Sequence, residues 1–503
     1  METTDDFIQA GFSLKERKQE FVSNLSGSTM LEIAALSALV PIFVLLRQVY
    51  DLLLSGNSLL PELCSSKANY GSRPIGQNDK GRDGKEYVMA LVKDLIFVGV
   101  PTIACLTVLA DWVYIVTVVS LCLLLVGIAV LWRLNSQGGM EPTSQQLVGA
   151  NLSTSRKTFL SSFRFTMMLV TCVTILAVDF NVFPRRYAKT ETYGTGLMDV
   201  GVGSFVVANG LVSRQARELP PSKNGGVFRN TCPLLVLGFS RLLLTKGVDY
   251  QEHVAEYGVH WNFFFTLAAV ALLTSLFNIP AFYCGALGVV LLGVYQTILS
   301  SGLNEYLLSS ERRPNLVSLN KEGICSILGY WSIYLISVEL GHYLIFPPER
   351  KLHQNDDTST KTRRKGRRTG TVSSSLAIDV WVLDAFLWFL AIFGEVYIER
   401  ISRRMCNLPY VIFVFAMNLE VIAIFLTADV FLPSKQMLLL QIFDNNLLPT
   451  FLWGNVLTGL VNMTVDTISA SSVPAVLILL GYLAILVGGM AAVEFFGLRL
   501  KFW

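Results

Sequence analysis

Asp179 ends the apolar run MMLVTCVTILAV, and Lys189 follows ten residues later in AKTE, with Arg185 and Arg186 between them. A carboxylate at a membrane edge is partly desolvated, which makes it a better proton acceptor. A cation facing it across a short turn can stabilise negative charge developing on a reacting oxygen. Together they suit the deprotonation of a hydroxyl and its attack on a carbonyl. Pro184 implies a turn, and Gly194, Gly196, Gly201 and Gly203 imply a thin-walled helix that a ligand or another backbone approaches closely. The ordinary alternative stands beside this: carboxylates end helices and cations snorkel to interfaces without any catalysis.

A second constellation is DYQEHVAEYGVHWNFFFT, residues 249–266, which holds His253 and His260 among Glu252, Glu256, Tyr250, Tyr257 and Asn262. His260 starts an aromatic-rich helix, where a histidine also serves as an interfacial hydrogen-bonding group. No closed ligand set with familiar metal spacing is present. The eight cysteines are scattered, mostly within apolar runs and without a CxxC pair, so neither zinc nor a disulfide framework is expected. Further polar groups recur at helix ends: Asn24 to Glu32, Arg312 and Arg313, Asn320 to Glu322, Arg403 to Asn407, and Asn462 to Asp466. Singly each caps or anchors a helix. Together they suit a cavity that binds a hydroxylated or phosphorylated headgroup through Arg forks and Asn amides.

The elements that must position these residues are transmembrane. The chain has 503 residues, 52% apolar and only 15% charged, against roughly 25% charged in soluble domains. Its mean hydropathy is +0.51. The expected fold class is an all-α polytopic membrane protein with about 13 transmembrane helices of about 20 apolar residues each. They fall near 30–54, 88–108, 111–132, 160–178, 196–213, 231–245, 261–278, 280–300, 324–346, 377–398, 408–431, 447–466 and 472–496. Residues 1–29 form a polar N-terminal segment without a cleavable signal, and 30–498 a single multi-pass domain. Residues 55–86, 134–159 and 348–375 are expected to be flexible loops, the last carrying the basic run KTRRKGRRTG. Lys and Arg are more numerous in the odd-numbered connections, which predicts an exterior or lumenal N-terminus and a cytoplasmic C-terminus. Of the sequons at Asn24, Asn151 and Asn462, only Asn24 would then meet a glycosylating compartment.

The motifs resemble those of the glucosaminyl-phosphatidylinositol acyltransferases of glycosylphosphatidylinositol-anchor synthesis, the PIG-W family. The match runs through KERKQEFVSNLSGSTMLEI, LAVDFNVFPRRYAKTETYGTGLMDVGVG, YQEHVAEYGVHWNFFFT, NKEGICSILGY, ISRRMCNLPY and TGLVNMTVDT, ending at KFW. The resemblance implies an endoplasmic-reticulum enzyme that moves a palmitoyl-type acyl chain from acyl-CoA to an inositol hydroxyl of glucosaminyl-phosphatidylinositol. Its partners would be acyl-CoA, that lipid and the membrane, with no nucleic acid, no metal and no cofactor. It implies Asp179 and Lys189 as catalytic, Asp179 taking the hydroxyl proton and Lys189 stabilising the oxyanion or holding Asp179. Arg185, Arg186, Arg403 and Arg404 would meet phosphate groups, and Asn320, Asn462 and Asp466 the headgroup. Glu191, Tyr257, His260 and Asn262 complete the expected substrate-binding set. The rival readings are an O-acyltransferase using His260 as base, a secondary transporter with broken helices, and a structural subunit.

Overall fold

The computed structural model describes residues 21, 25–54, 80–137, 152–220, 226–246, 254–346, 369–432 and 437–498. The sequons at Asn24 and Asn151, His253, and most of the three expected loops lie outside these residues. Among the described residues the regular structure is helical, joined by turns and irregular connections, with isolated bridges between Gly27–Ser28 and Thr195. In chain order the helices are α1 (Met30–Leu54), α2 (Gly84–Leu106), α3 (Val113–Gln137), α4 (Leu152–Ala177), α5 (Leu197–Leu211), α6 (Gly226–Lys246) and the short α7 (Val254–Tyr257). They continue with α8 (Phe263–Phe277), α9 (Ala281–Leu308), the short α10 (Leu316–Leu319), α11 (Lys321–Leu344) and α12 (Thr369–Tyr397). The last are α13 (Leu408–Phe431), α14 (Leu438–Asn445), α15 (Leu447–Thr464) and α16 (Ser472–Phe495).

Every one of the thirteen apolar segments coincides with a helix. Nine helices among the described residues are long and apolar enough to cross a membrane, and shorter apolar helices span Leu197–Leu211, Thr231–Leu243 and Phe263–Phe277. The protein is an all-α, multi-pass membrane protein. Several helices outrun their apolar segments, because a helix nucleated in the bilayer propagates into polar sequence at little extra cost. So α2 begins its helical path by Lys80, α4 at Leu152 and α12 at Thr369, and the outer edges of the three expected loops are helical.

α13 is the central pillar. It is apolar on all sides, as a fully surrounded helix must be, and 78% of its best window is buried, against 17% for α3 and 22% for α12. The outward faces of α3 and α12 display Trp132, Leu123, Phe386 and Phe389, which suits lipid tails. The closest pairings are α12 with α13, α9 with α11, α5 with α11 and α1 with α3. The close approach of α5 needs its glycines: a Cβ at Gly203 would lie 2.7 Å from Val414, and one at Gly210 would lie 2.5 Å from Ser337.

Polar contacts concentrate at two ends of this bundle. At one end Arg47 pairs with Asp51 and Asp94, Arg164 with Asp444, and Asn445 with Glu494. At the other, the connections that follow α4, α6, α9, α12 and α15 meet one another. These are the connections that alternate crossings place on a common side.

The glycine packing makes a direct prediction. Gly210→Ala should lower the thermal stability of the purified protein by about 1–3 kcal/mol through overpacking. Gly293→Ala, where nothing lies within 4 Å of the added carbon, should leave it unchanged or raise it by up to about 1 kcal/mol. Equal melting temperatures for the two variants would contradict the packing described.

Candidate active site

The polar end is built around Arg403, 3% exposed. The chain reaches it from α12 through a tight turn in which Asn407 caps α13, its side chain accepting from Tyr410 N and Ser402 N. Cys406 closes the turn with a positive φ of 50°. The Arg403 guanidinium donates from Nε to Asp199 Oδ1 at 2.6 Å and from Nη1 to Glu256 Oε1 at 3.1 Å. Lys189 Nζ meets the same Glu256 oxygen at 2.8 Å. Asp199, in the first turn of α5, also accepts from the Thr190 amide and hydroxyl and from Gly196 N. Two cations and two carboxylates thus form a locally neutral cluster at the membrane edge, the arrangement that makes charge burial tolerable.

The loop that carries Lys189 is gripped on both sides. Glu191 N and Ser28 N pair with the carbonyls of Leu25 and Thr195, while Gly194 N donates to Ile401 O and Ser402 Oγ to Thr192 O. Gly194 has φ +128°, and a Cβ there would fall 2.0 Å from Ser26 O, so only glycine fits. Arg186 donates to Glu32 at 2.9 Å and to Asp111 at 2.7 Å, and Tyr187 Oη also donates to Glu32. Ser28 donates to Glu32 as well.

Asp179 follows the last turn of α4. Its carboxylate accepts from Asn462 Nδ2 of α15 at 2.8 Å. Beside it, Arg185 Nη2 donates to the carbonyls of Val178, Phe180 and Phe183, which shapes the turn around Asp179. Burial draws the Arg185 guanidinium down to about 10, against the opposing charge of Asp179. Arg185 Nη1 and Asn462 Oδ1 are buried without hydrogen-bond partners. A donor and an acceptor left open beside one carboxylate are unusual in a folded interior, and they suit a ligand hydroxyl.

The remaining predicted residues divide by what they touch. Arg404 bonds Leu307 O and Glu322, which also takes a two-pronged contact from Arg312. Asn320 binds the His260 amide and Leu316 O, and Asn262 caps α8 and reaches Gly238 O. Tyr257 is buried with its hydroxyl unpartnered. Glu191, the His260 side chain and Asp466 are exposed, Asp466 accepting from Ser469. No direct bond joins Asp179 to Lys189: the first is held by Asn462 and the second by Glu256. Arg403 already serves two carboxylates.

Of the organising acids, Glu256, Glu32 and Glu322 stood in the polar groups that the sequence singled out without a role, whereas Asp199 and Glu399 were not named at all. Glu399 gathers Tyr193, Gln296, Asn304 and Asn407. The signal available was stoichiometric, since each cation at a membrane edge calls for an acid. Among the described residues no three His, Cys, Asp or Glu side chains come together as a metal-binding group. Just beyond the cluster, a narrow apolar cleft lies between α1, α2, α4 and the start of α5, lined by Leu36, Leu39, Phe43, Leu106, Val170 and Leu197.

The GWT1 family model matches residues 14–493. The phosphatidylinositol-glycan biosynthesis class W protein of Dictyostelium discoideum is 32% identical over 97% of this chain and 99% of its own length. GPI-anchored wall transfer protein 1 of Aspergillus oryzae is 33% identical over the same shares. An uncharacterised Arabidopsis thaliana protein is 47% identical over 83% of this chain and 90% of its own.

The cluster predicts a pH signature. Burial alone would raise the Glu256 carboxyl, but Lys189 and Arg403 outweigh it and hold it near about 2, below its ordinary 4.5. A carboxyl depressed in the folded state contributes stability that is complete above the unfolded value and fades as pH falls through the folded one. Thermal melts should therefore show Glu256→Gln less stable at neutral pH, with the gap to the native protein closing between 4.5 and about 2. A gap independent of pH in that window would contradict the cluster.

Proposed function

The chain belongs to the GWT1 family, and from that premise we propose that it transfers a fatty acyl group, of palmitoyl type, from acyl-CoA to an inositol hydroxyl of glucosaminyl-phosphatidylinositol during GPI-anchor biosynthesis. The observation that carries this reading is Asp179 at the end of α4 with a buried open donor, Arg185 Nη1, and a buried open acceptor, Asn462 Oδ1, beside it. A ligand hydroxyl could accept from the first and donate to the second, with Asp179 placed to take its proton.

In the proposed reaction the inositol oxygen attacks the thioester carbonyl while Asp179 takes its proton. Lys189 stabilises the oxyanion; the absence of a bond to Asp179 favours this role over that of a tether. Collapse breaks the carbon–sulfur bond, and the thiolate leaves with the proton from Asp179 as free coenzyme A. No metal or cofactor enters the proposed steps. The acyl chain would run between the glycine-rich α5 and its apolar neighbours, where the void beside Leu197, about 10 Å³, would have to widen to take it. The lipid phosphate would be met by Arg185, with Asn462 and Asp466 toward the headgroup. We place the protein in the endoplasmic-reticulum membrane with a lumenal N-terminus and a cytoplasmic C-terminus, which sends the acyl donor to its site through the bundle.

Acyl transfer by the purified protein in lipid discs, followed by mass spectrometry of the inositol ester, tests this. Asp179→Asn should lower kcat by about 10²–10⁴-fold, the usual worth of a general base, with the melting temperature retained. Lys189→Met should lower kcat more than it raises KM. His260→Ala should keep most of the activity, because its ring is exposed. An Asp179→Asn protein with full activity would sink the assignment.

A further inference from the structure

Away from this site, α12 and α13 each carry one carboxylate inside the bundle. Asp384 is 3% exposed, and its Oδ1 has no hydrogen-bond partner; Glu420 Oε2 is likewise buried and unpartnered. The two helices run antiparallel, in a register marked on one side by Trp381 Nε1 donating to Thr427 Oγ1 at 2.8 Å. On the other side it is marked by the Trp388 and Phe413 rings, 6.1 Å apart, and by Gly394 against Pro409. Between these markers Asp384 comes opposite Glu420.

Neither acid has an ion-pair partner among the described residues. On their own helices, Asp379 is bonded by Tyr343, and Glu395 is bonded by Ile401 N and paired with Arg400. Asp429, near the end of α13, has a partner of its own. On the helices packed against α13, Arg47 of α1 serves Asp51 and Asp94, and Arg164 of α4 serves Asp444. Asp199 of α5 holds Arg403, Tyr295 of α9 donates to Met405 O, and Glu339 of α11 holds Gly285 N. His342 of α11 faces Glu218. Among the described residues no ion pair links a cation to either acid. Two carboxylates also fall short of the roughly six to eight oxygens that a hard divalent cation gathers, whereas a single proton bound to one of them makes it a donor to the other's open acceptor oxygen.

We propose that Asp384 and Glu420 form an intramembrane proton-binding site, sharing a proton across the α12–α13 interface and so docking α12 onto the bundle. α12 rests mainly on α13, so loss of the proton would set two like charges against each other at its main contact. A folded state that holds this proton more tightly than the unfolded chain loses stability as pH rises.

Infrared spectroscopy of the full-length protein in lipid discs tests this through the C=O stretch of a protonated carboxylic acid. The native protein should show such a band at neutral pH that is missing from Asp384→Asn/Glu420→Gln. Its melting temperature should fall on alkalinisation more steeply than that of the double variant. If the double variant does not fold, the native protein alone decides, by whether its band bleaches in step with alkaline loss of melting temperature. Absence of the band from the native protein, its persistence in the folded double variant, or a band that holds while the melting temperature falls would overturn the proposal.

Discussion

Burial of one guanidinium is the constraint on which the polar end depends. Arg403 sits 3% exposed between Asp199 and Glu256, and removing one partner of such a buried pair costs about 3–5 kcal/mol. Its three partners, direct and shared, come from the connections after α4 and α6 and from the start of α5. Satisfying one cation therefore fixes where three distant segments lie. The neighbouring Glu322 hub does the same for Arg312 and Arg404, again with a fully buried acid. These two hubs make the membrane-edge connections part of the folded core, although loops usually run over surfaces.

This organisation separates scaffold from candidate chemistry. Around Arg403 the charged groups are paired, and Asp199 alone accepts from Arg403, Thr190 and Gly196, while the neighbouring Tyr257 and Tyr330 hydroxyls stay open. Around Asp179 two buried groups remain open. A saturated network resists rearrangement, whereas open polar groups are stabilised by a ligand that completes them. In the proposed reaction Asp179 is the base, and Lys189 is held by Glu256.

Each of the thirteen apolar runs falls on a helix, because a contiguous apolar stretch leaves a local trace, and nine of the described helices are long and apolar enough to span. Helix ends were less legible: α4 and α12 continue well beyond the hydrocarbon-length windows at 160–178 and 377–398. Asp179 and Lys189 stood out by their position at the end of an apolar run and in a polar turn. Their pairings did not, because Asp179 to Asn462 and Lys189 to Glu256 are contacts between residues far apart in the chain. Asp199 was masked by the glycine-rich, apolar setting of LMDVGVG, and Asn262 and Asn320 look like headgroup ligands until Asn262 is seen to cap α8 and Asn320 to bind His260 N and Leu316 O. Arginine type alone suggests phosphate recognition; only the fold reveals that Arg403 is already committed to two carboxylates.

Hydrogen exchange in the native protein and in Arg403→Lys tests most directly whether this single guanidinium positions the site. Lysine keeps the charge but cannot span both acids with a planar fork. The account predicts faster exchange confined to 188–199 and 254–262, with the amides of α16 as protected as before. Unchanged protection in 188–199, in a variant that has truly lost the fork, would contradict the claim that Arg403 holds the motif in place.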